Sequence, residues 1–213
     1  TGSTRNYIGI NQSINLASNW RVRIDGEYAS DNEYFEDLTG SINSTSRTHL
    51  FRTIHMQGFS ENWILGIGMD NFQILDQSIS LDDKPHRVLP YVDFNGQWVN
   101  KKSNLSYGLN LNLAHFDSSV NITGTRFHAM PNLSKTFNFN GLQVKPEIEL
   151  DLTSYNLEGS ADDALKEDRP NRTVPIYSLD IQALFKKNWE DYGYIQTLEP
   201  RILGVYIPFK NQD

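Results

Sequence analysis

From Leu142 onward the chain alternates strictly between apolar and polar positions. Leu142, Val144, Pro146, Ile148, Leu150 and Leu152 fall on one parity, and Gln143, Lys145, Glu147, Glu149, Asp151 and Thr153 on the other. A helix would mix the two sets, whereas a strand puts them on opposite faces. The same separation sets Leu105, Tyr107, Leu109, Leu111 and Leu113 against Ser106, Gly108, Asn110 and Asn112, and Trp20, Val22, Ile24 and Tyr28 against Arg21, Arg23, Asp25 and Glu27. Segments 8–16, 63–75, 88–99, 127–137, 174–185 and 194–209 read as further strands with occasional faults, and in 47–59 Arg52 interrupts the apolar parity. The pattern predicts an all-β chain, an antiparallel up-and-down meander of about ten strands joined as five hairpins.

The connections alternate in length. Short turns are expected at 17–19, 60–62, 100–103, 138–141 and 187–191, and long polar connections at 31–46, 76–87, 118–125 and 157–171. Trp20, Trp63, Trp98 and Trp189, the four tryptophans of the chain, sit within or beside four of the short turns, and Phe137 and Phe139 flank the fifth. One rim is therefore expected to carry an aromatic belt. Short turns on one side, long loops on the other and amphipathic rings at the headgroup level are the features of a transmembrane β-barrel of the outer membrane. Several segments exceed the five or six residues usual in soluble sheets and match the ~9–11 residues that a tilted membrane strand needs.

Composition leaves that reading intact. A mean hydropathy of -0.52 and 38% hydrophobic residues over 213 positions suit a barrel as well as a soluble domain, because only the lipid face of a barrel must be apolar. No apolar run approaches the ~18 residues of a transmembrane helix. The chain has no cysteine, so it offers no disulfide framework and no thiolate metal site. The opening Thr1-Gly2-Ser3 lacks an initiator Met and a signal peptide, and 1–213 is expected to be a central segment of a longer secreted chain.

Two parities imply two surfaces. On the polar one, Arg21, Arg23, Asp25, Glu27, Asn110, Asn112, Gln143, Lys145, Glu147, Glu149, Asp151, Glu199 and Arg201 are expected to face the lumen. Such a mixed surface can hydrate a cavity, contact a plug, or meet the sugars and phosphates of a passing glycolipid. Pro90, Pro131, Pro146, Pro175 and Pro200 lie within strand-patterned segments, where each removes a ladder donor. They mark strand ends, bulges or bends, or soften the wall.

Several runs resemble the barrel domain of the LptD family, which assembles lipopolysaccharide at the outer membrane. They are Ser30-Asp31-Asn32-Glu33-Tyr34-Phe35-Glu36-Asp37, Arg87-Val88-Leu89-Pro90, 126–131, and above all Tyr194-Ile195-Gln196-Thr197-Leu198-Glu199-Pro200-Arg201 leading to Tyr206-Ile207-Pro208-Phe209. The resemblance implies a fragment from the middle of a barrel of about 26 strands, without the family's periplasmic N-terminal domain and without the first and last strands whose seam forms its lateral gate. It implies lipopolysaccharide, an LptE-like lipoprotein plug in the lumen and periplasmic lipopolysaccharide-bridge proteins as partners, and the outer membrane of a Gram-negative bacterium as the location. The alternatives are a passive porin-like or receptor barrel, and a soluble carbohydrate-binding β-sandwich.

Nothing in the chain points to bond-making chemistry. His49, His55, His86, His115 and His128 show no metal-ligand spacing, and no Gly-x-Ser-x-Gly elbow or phosphate-binding glycine loop occurs. Ser60, His55 and Asn62 lie close in sequence but beside a turn, with no sign of an activated nucleophile. The expectation is no enzyme, no cofactor, no metal and no nucleic-acid partner. Two acidic stretches, Asp31, Glu33, Glu36 and Asp37, and Asp162, Asp163, Glu167 and Asp168, read as solvated loop charges, with hard-cation binding as the alternative.

Overall fold

The computed structural model describes residues 4–38, 47–80, 83–158, 169–190 and 193–210. The strands are β1 (Tyr7–Ala17), β2 (Trp20–Ala29), β3 (His49–Phe59), β4 (Trp63–Ile74), β5 (Arg87–Asn100), β6 (Leu105–Asp117), β7 (Thr123–Lys135), β8 (Phe137–Phe139), β9 (Leu142–Glu158), β10 (Asn171–Ala183), β11 (Phe185–Trp189), β12 (Tyr194–Leu198) and β13 (Arg201–Tyr206), with one short helix, α1 (Tyr34–Leu38). The main sheet runs β1-β2-β3-β4-β5-β6-β7-β9-β10-β13, with β8 paired to β9, so sequence neighbours are sheet neighbours from β1 to β7, whereas β10 pairs β13 past the separate β11–β12 hairpin. The first and last strands stand at opposite ends of that order and do not pair. The expected antiparallel meander is the observed one, and it does not close on itself.

Residues group into two compact units, Thr1–Phe94 with Asn112–Phe127 and Ser154–Pro170, and Asn95–Leu111 with His128–Thr153 and Asn171–Asp213. In the first, β1 pairs β2 from Tyr7↔Ala29 to Ala17↔Trp20, β2 pairs β3 from Trp20↔Gly58 to Gly26↔Arg52, and β3 pairs β4 from His49↔Ile74 to Phe59↔Ile64. In the second, β10 pairs β13 from Tyr177↔Tyr206 to Gln182↔Arg201.

A soluble sandwich buries one sheet face against another. Here the buried apolar residues, among those described, are Ala29, Phe35, Leu50, Leu75, Ala114 and Ala129, while Ile8, Ile10, Ile14, Ile54, Leu113, Leu133 and Ile148 are exposed. An eleven-stranded sheet with its apolar parity bare is no sandwich, and so large an apolar surface needs a covering phase or partner. No described helix is long and apolar enough to cross a membrane; any crossing would be by strands.

The structure corrects several expected boundaries. The strand expected over 174–185 ends at Ala183, and that expected over 194–209 divides into β12 and β13, because β11 and β12 form a separate two-stranded sheet. Pro200 is the physical reason: it has no N–H to donate, and its carbonyl accepts from Ala183 while Leu184 N–H turns to Gly141 O. The turn expected at 187–191 shifts accordingly, since β11 and β12 stay paired out to Trp189↔Tyr194. At 138–141 the strand pairing continues as Phe139↔Leu142, leaving Asn140-Gly141 as the tip, with Gly141 at φ 85°, a value that favours glycine. Lys135, not Phe137, ends the preceding strand, and Thr136 lies in the break, its N–H bonding Asn104 O. Asn104, at φ 52°, closes the turn placed at 100–103 one residue late. The connection expected over 118–125 shrinks to 118–122 because β7 begins at Thr123.

The connection at 31–46 also differs. Within it α1 carries Phe35 onto Ala29, Leu50 and Leu75, with Tyr34 packed beside them, so its first part is a small apolar cap and not a polar loop. The acidic stretch Asp162, Asp163, Glu167 and Asp168 lies outside the described residues.

Candidate functional site

The strongest candidate is the polar parity of the sheet, which is stitched into side-chain networks strand by strand. In a strand every second residue faces the same way and cross-strand neighbours lie within contact reach, so a polar parity repeated on successive strands builds a continuous hydrogen-bonded surface.

In the first unit, Arg21 donates to Asn15 at 3.3 Å, and Asn11 Nδ2 and Arg23 Nη2 both reach Asp25, at 3.0 and 3.5 Å. Thr53 Oγ1 donates to Asp70 at 2.5 Å. His55, opposite Arg23 in the register, bonds the Tyr91 hydroxyl at 3.0 Å and stacks on its ring. Gly66 and Gly68 make room for this pair: a Cβ at Gly66 would lie 2.9 Å from the His55 ring, and one at Gly68 2.5 Å from the Tyr91 hydroxyl. Asn112 donates to Asp93 at 2.6 Å and accepts from Arg126 Nη2 at 2.8 Å. Arg126 also lies over the Phe116 ring, 5.3 Å from its centroid.

In the second unit, Asn110 accepts from Asn95, and Lys145 pairs with Glu147 at 2.8 Å. Asp151 is a hub that takes Arg172 at 2.7 Å on one oxygen and His128 at 3.1 Å and Thr153 at 3.2 Å on the other. Arg201 grips Asp180 with two parallel bonds of 2.8 and 2.6 Å, the fork geometry that strengthens guanidinium–carboxylate pairs. Glu199, expected in a strand with Arg201, lies instead in the break between β12 and β13, lining a hollow with Phe139 and Gln182. Glu149 stands between Glu147 and Asp151 on the same parity of β9.

At one end of the first unit the network turns into a clamp on α1. Arg5 donates to Asp31 and, at 2.6 Å, to Asp37, and its guanidinium lies 5.9 Å from the Tyr34 centroid. The Arg5 hydrogen bonds hold the Asp31 carboxyl below its ordinary range, and the two carboxylates raise the Arg5 guanidinium. Glu27 accepts from Tyr7 and from Arg47 at 2.6 Å, which raises Arg47. Two of the four acids expected to be solvated loop charges, Asp31 and Asp37, are therefore ion-paired. The Ser78 hydroxyl and amide similarly lower Asp76.

The aromatics also meet in pairs. Trp20 and Trp63 have ring centroids 6.5 Å apart, Trp98 stacks on Tyr107 at 5.6 Å, Trp189 on Tyr194 at 6.0 Å, and Phe137 on Phe139 at 6.5 Å. His55, Asp70, Tyr91, Asp93, Arg126, His128 and Arg172 join the polar network without having been singled out for it. Their strands alternate less cleanly than β9, and the readable signal was an acid, hydroxyl or amide at every second position, as at Tyr91, Asp93 and Asn95. Of Ser60, His55 and Asn62, His55 is engaged by the Tyr91 hydroxyl. Among the described residues no group of three or more His, Cys, Asp or Glu could hold a metal.

Comparison with known proteins bears on this surface. The family model LptD, described as LPS transport system D, matches residues 3–213. An LPS-assembly protein LptD of Shewanella sp. strain MR-4 is 33% identical over 204 residues, covering 92% of this chain and 26% of its own length. That of Nitrosomonas eutropha is 33% identical over 227 residues, covering all of this chain and 30% of its own length. That of Hahella chejuensis is 28% identical over 209 residues. The chain thus spans between a quarter and a third of the length of the first two relatives.

Proposed function

Because the chain belongs to the LptD family, we propose that it is a central stretch of the transmembrane barrel wall through which lipopolysaccharide is assembled into the outer leaflet of the outer membrane. The observation that carries this reading is the two-faced sheet: one parity knit together by Asp25, Asp93, Asn112 and Asp151, the other bare and apolar at Ile10, Ile54, Leu113 and Ile148. In this reading the knit parity faces the wet lumen and the bare one faces lipid.

The lumen face would do its work without making or breaking bonds. Its accessible cations, Arg21, Arg23, Lys145 and Arg201, offer donors to phosphates and sugars, while paired carboxylates keep the net field low enough that a polyanionic glycolipid is not trapped. The same surface would pack against an LptE-like lipoprotein plug, and the substrate would arrive by way of periplasmic lipopolysaccharide-bridge proteins held by another part of the parent. The tilted Trp20–Trp63 pair and the stacked Trp98–Tyr107 pair would sit at the periplasmic headgroups.

Cysteine labelling of the intact parent on whole cells tests the arrangement. Glu36→Cys, in α1 on the long-connection side, is expected to react with an impermeant maleimide, and Asn62→Cys, on a short turn, is not. Reversed labelling would refute the topology.

A further inference from the structure

Among the described residues the apolar parity is interrupted by a built feature. A groove of about 380 Å³ opens on it, lined by Ile10, Ile24, Gly26, Arg52, Ile54 and Met69 among others, at the lower end of the ~300–1,000 Å³ of small-molecule sites. Gly26 makes the notch: a Cβ there would meet nothing within 4 Å, so the space above it is open. Arg52 stands directly opposite Gly26 in the β2–β3 register.

Arg52 is held in a fixed pose. Its Nε donates to Glu27 O at 3.1 Å, its Nη2 to Gln73 Oε1 at 2.8 Å, and its guanidinium lies 5.4 Å from the Tyr28 centroid. Gln73 is itself fixed through Nε2 to Ala29 O at 2.8 Å. Among the described residues Arg52 takes part in no ion pair, and its Nη1 has no partner; of the two acids that line the groove, Glu27 spends its carboxylate on Tyr7 and Arg47, and Asp25 takes Asn11 and Arg23. A permanent cation with no counter-charge on an apolar face is costly, and an external anion would relieve the cost.

The level of Arg52 says which anion. Six residues of β3 separate it from Gly58, which pairs with Trp20, a span of about 20 Å at ~3.3 Å per residue and about 15 Å across the membrane after a ~40° tilt. That carries Arg52 past the middle of an apolar band ~25 Å tall. Its partners Gln73, Glu27 and Tyr28 all lie further toward the long-connection rim, so the side chain reaches outward and brings the guanidinium toward the headgroups there. Below it, Ile24, Ile54 and Met69 line the groove back toward the mid-plane.

We propose that this groove is a lipid-binding site on the outer wall, in which Arg52 takes the phosphate of a net-anionic membrane lipid and the Gly26 notch takes the upper part of one acyl chain. The inference rests on the membrane-barrel reading, so the experiment measures barrel assembly and lipid retention separately.

The full-length parent would be purified in dodecyl maltoside, its folding followed by heat-modifiable gel mobility, and its lipid retention by native mass spectrometry after adding dioleoylphosphatidylglycerol or dioleoylphosphatidylcholine. Wild type is expected to retain more phosphatidylglycerol than phosphatidylcholine. Arg52→Gln should lower phosphatidylglycerol retention at least threefold and leave phosphatidylcholine unchanged, and Gly26→Val should lower both. Should Arg52→Gln not assemble, Arg52→Lys, which keeps the charge, should retain phosphatidylglycerol while Gly26→Val still loses it. Equal retention of the two lipids by wild type, or wild-type retention by Gly26→Val, overturns the proposal; a wild-type parent that never forms a heat-modifiable barrel overturns the membrane reading instead.

Discussion

The indole of Trp20 lies flat across Gly58, its partner in the β2–β3 register, so closely that a Cβ at Gly58 would come within 2.7 Å of the six-membered ring. The glycine is thus the seat on which the tryptophan is held, and Trp63 completes the pair from the next strand at 6.5 Å. Gly58→Val should lift the indole off the sheet at an overpacking cost of about 1–3 kcal/mol. The expected result in the full-length parent is a shifted tryptophan emission and a lower unfolding midpoint in urea. Unchanged emission would mean that the ring does not depend on this seat.

The clamp on α1 should be acid-labile. Asp31 is depressed below its ordinary value of 3.8 because Arg5 hydrogen-bonds its charged form. A carboxylate depressed in the folded state contributes stability that is present above its unfolded value and is lost as pH falls through the folded one. Hydrogen exchange over 31–38, referred to the intrinsic rate at each pH, should therefore be well protected at pH 7 and lose that protection below pH ~4. Arg5→Gln should show the fast exchange already at pH 7, and if it exchanges as slowly as wild type the clamp does not depend on this pair.

How much of this was readable beforehand depended on how cleanly each strand separates its two sides. In β9 a polar residue follows every apolar one from Leu142 to Thr153, and the pattern survives Pro146. The break at Leu184 and Glu199-Pro200 was hidden because Ala183-Leu184-Phe185 runs apolar without a polar turn residue to mark a strand end, and only the missing N–H of Pro200 redirects the ladder. The cap at α1 was hidden for the opposite reason. Its acids made 31–46 look polar, while Phe35 is the residue that buries. On the polar parity, Arg21, Asn110, Lys145 and Arg201 stood out where their strands alternate well, but the Asp151 partners His128 and Arg172 come from β7 and β10, and no spacing along one chain segment announces that convergence.

Asp151 should be the most sensitive acid of the second unit. Its side chain is 18% exposed and serves Arg172 and His128 together, so Asp151→Ala removes the acceptor for both. Arg172 is 41% exposed, which lets water replace part of the loss, and a net cost of about 1–2 kcal/mol is expected. In a double-mutant cycle on the full-length parent, Asp151→Ala and Arg172→Ala should couple by at least ~0.5 kcal/mol in urea unfolding. Additive effects would show that the pair acts independently.

The decisive contrast between faces lies in two adjacent residues of β9. Ile148 sits on the bare apolar parity, 39% exposed, and Glu149 on the polar parity between Glu147 and Asp151. A charge placed toward lipid near the mid-plane costs roughly 2–4 kcal/mol. Toward a wet lumen it costs little, and at position 149 an arginine would also relieve repulsion among three neighbouring acids. Ile148→Arg should therefore reduce the yield of heat-modifiable full-length barrel severalfold, while Glu149→Arg assembles like wild type. Equal yields would mean that the two parities do not face lipid and water. A selective loss from Glu149→Arg would invert them, placing Ile148 in the lumen and Glu149 against the membrane.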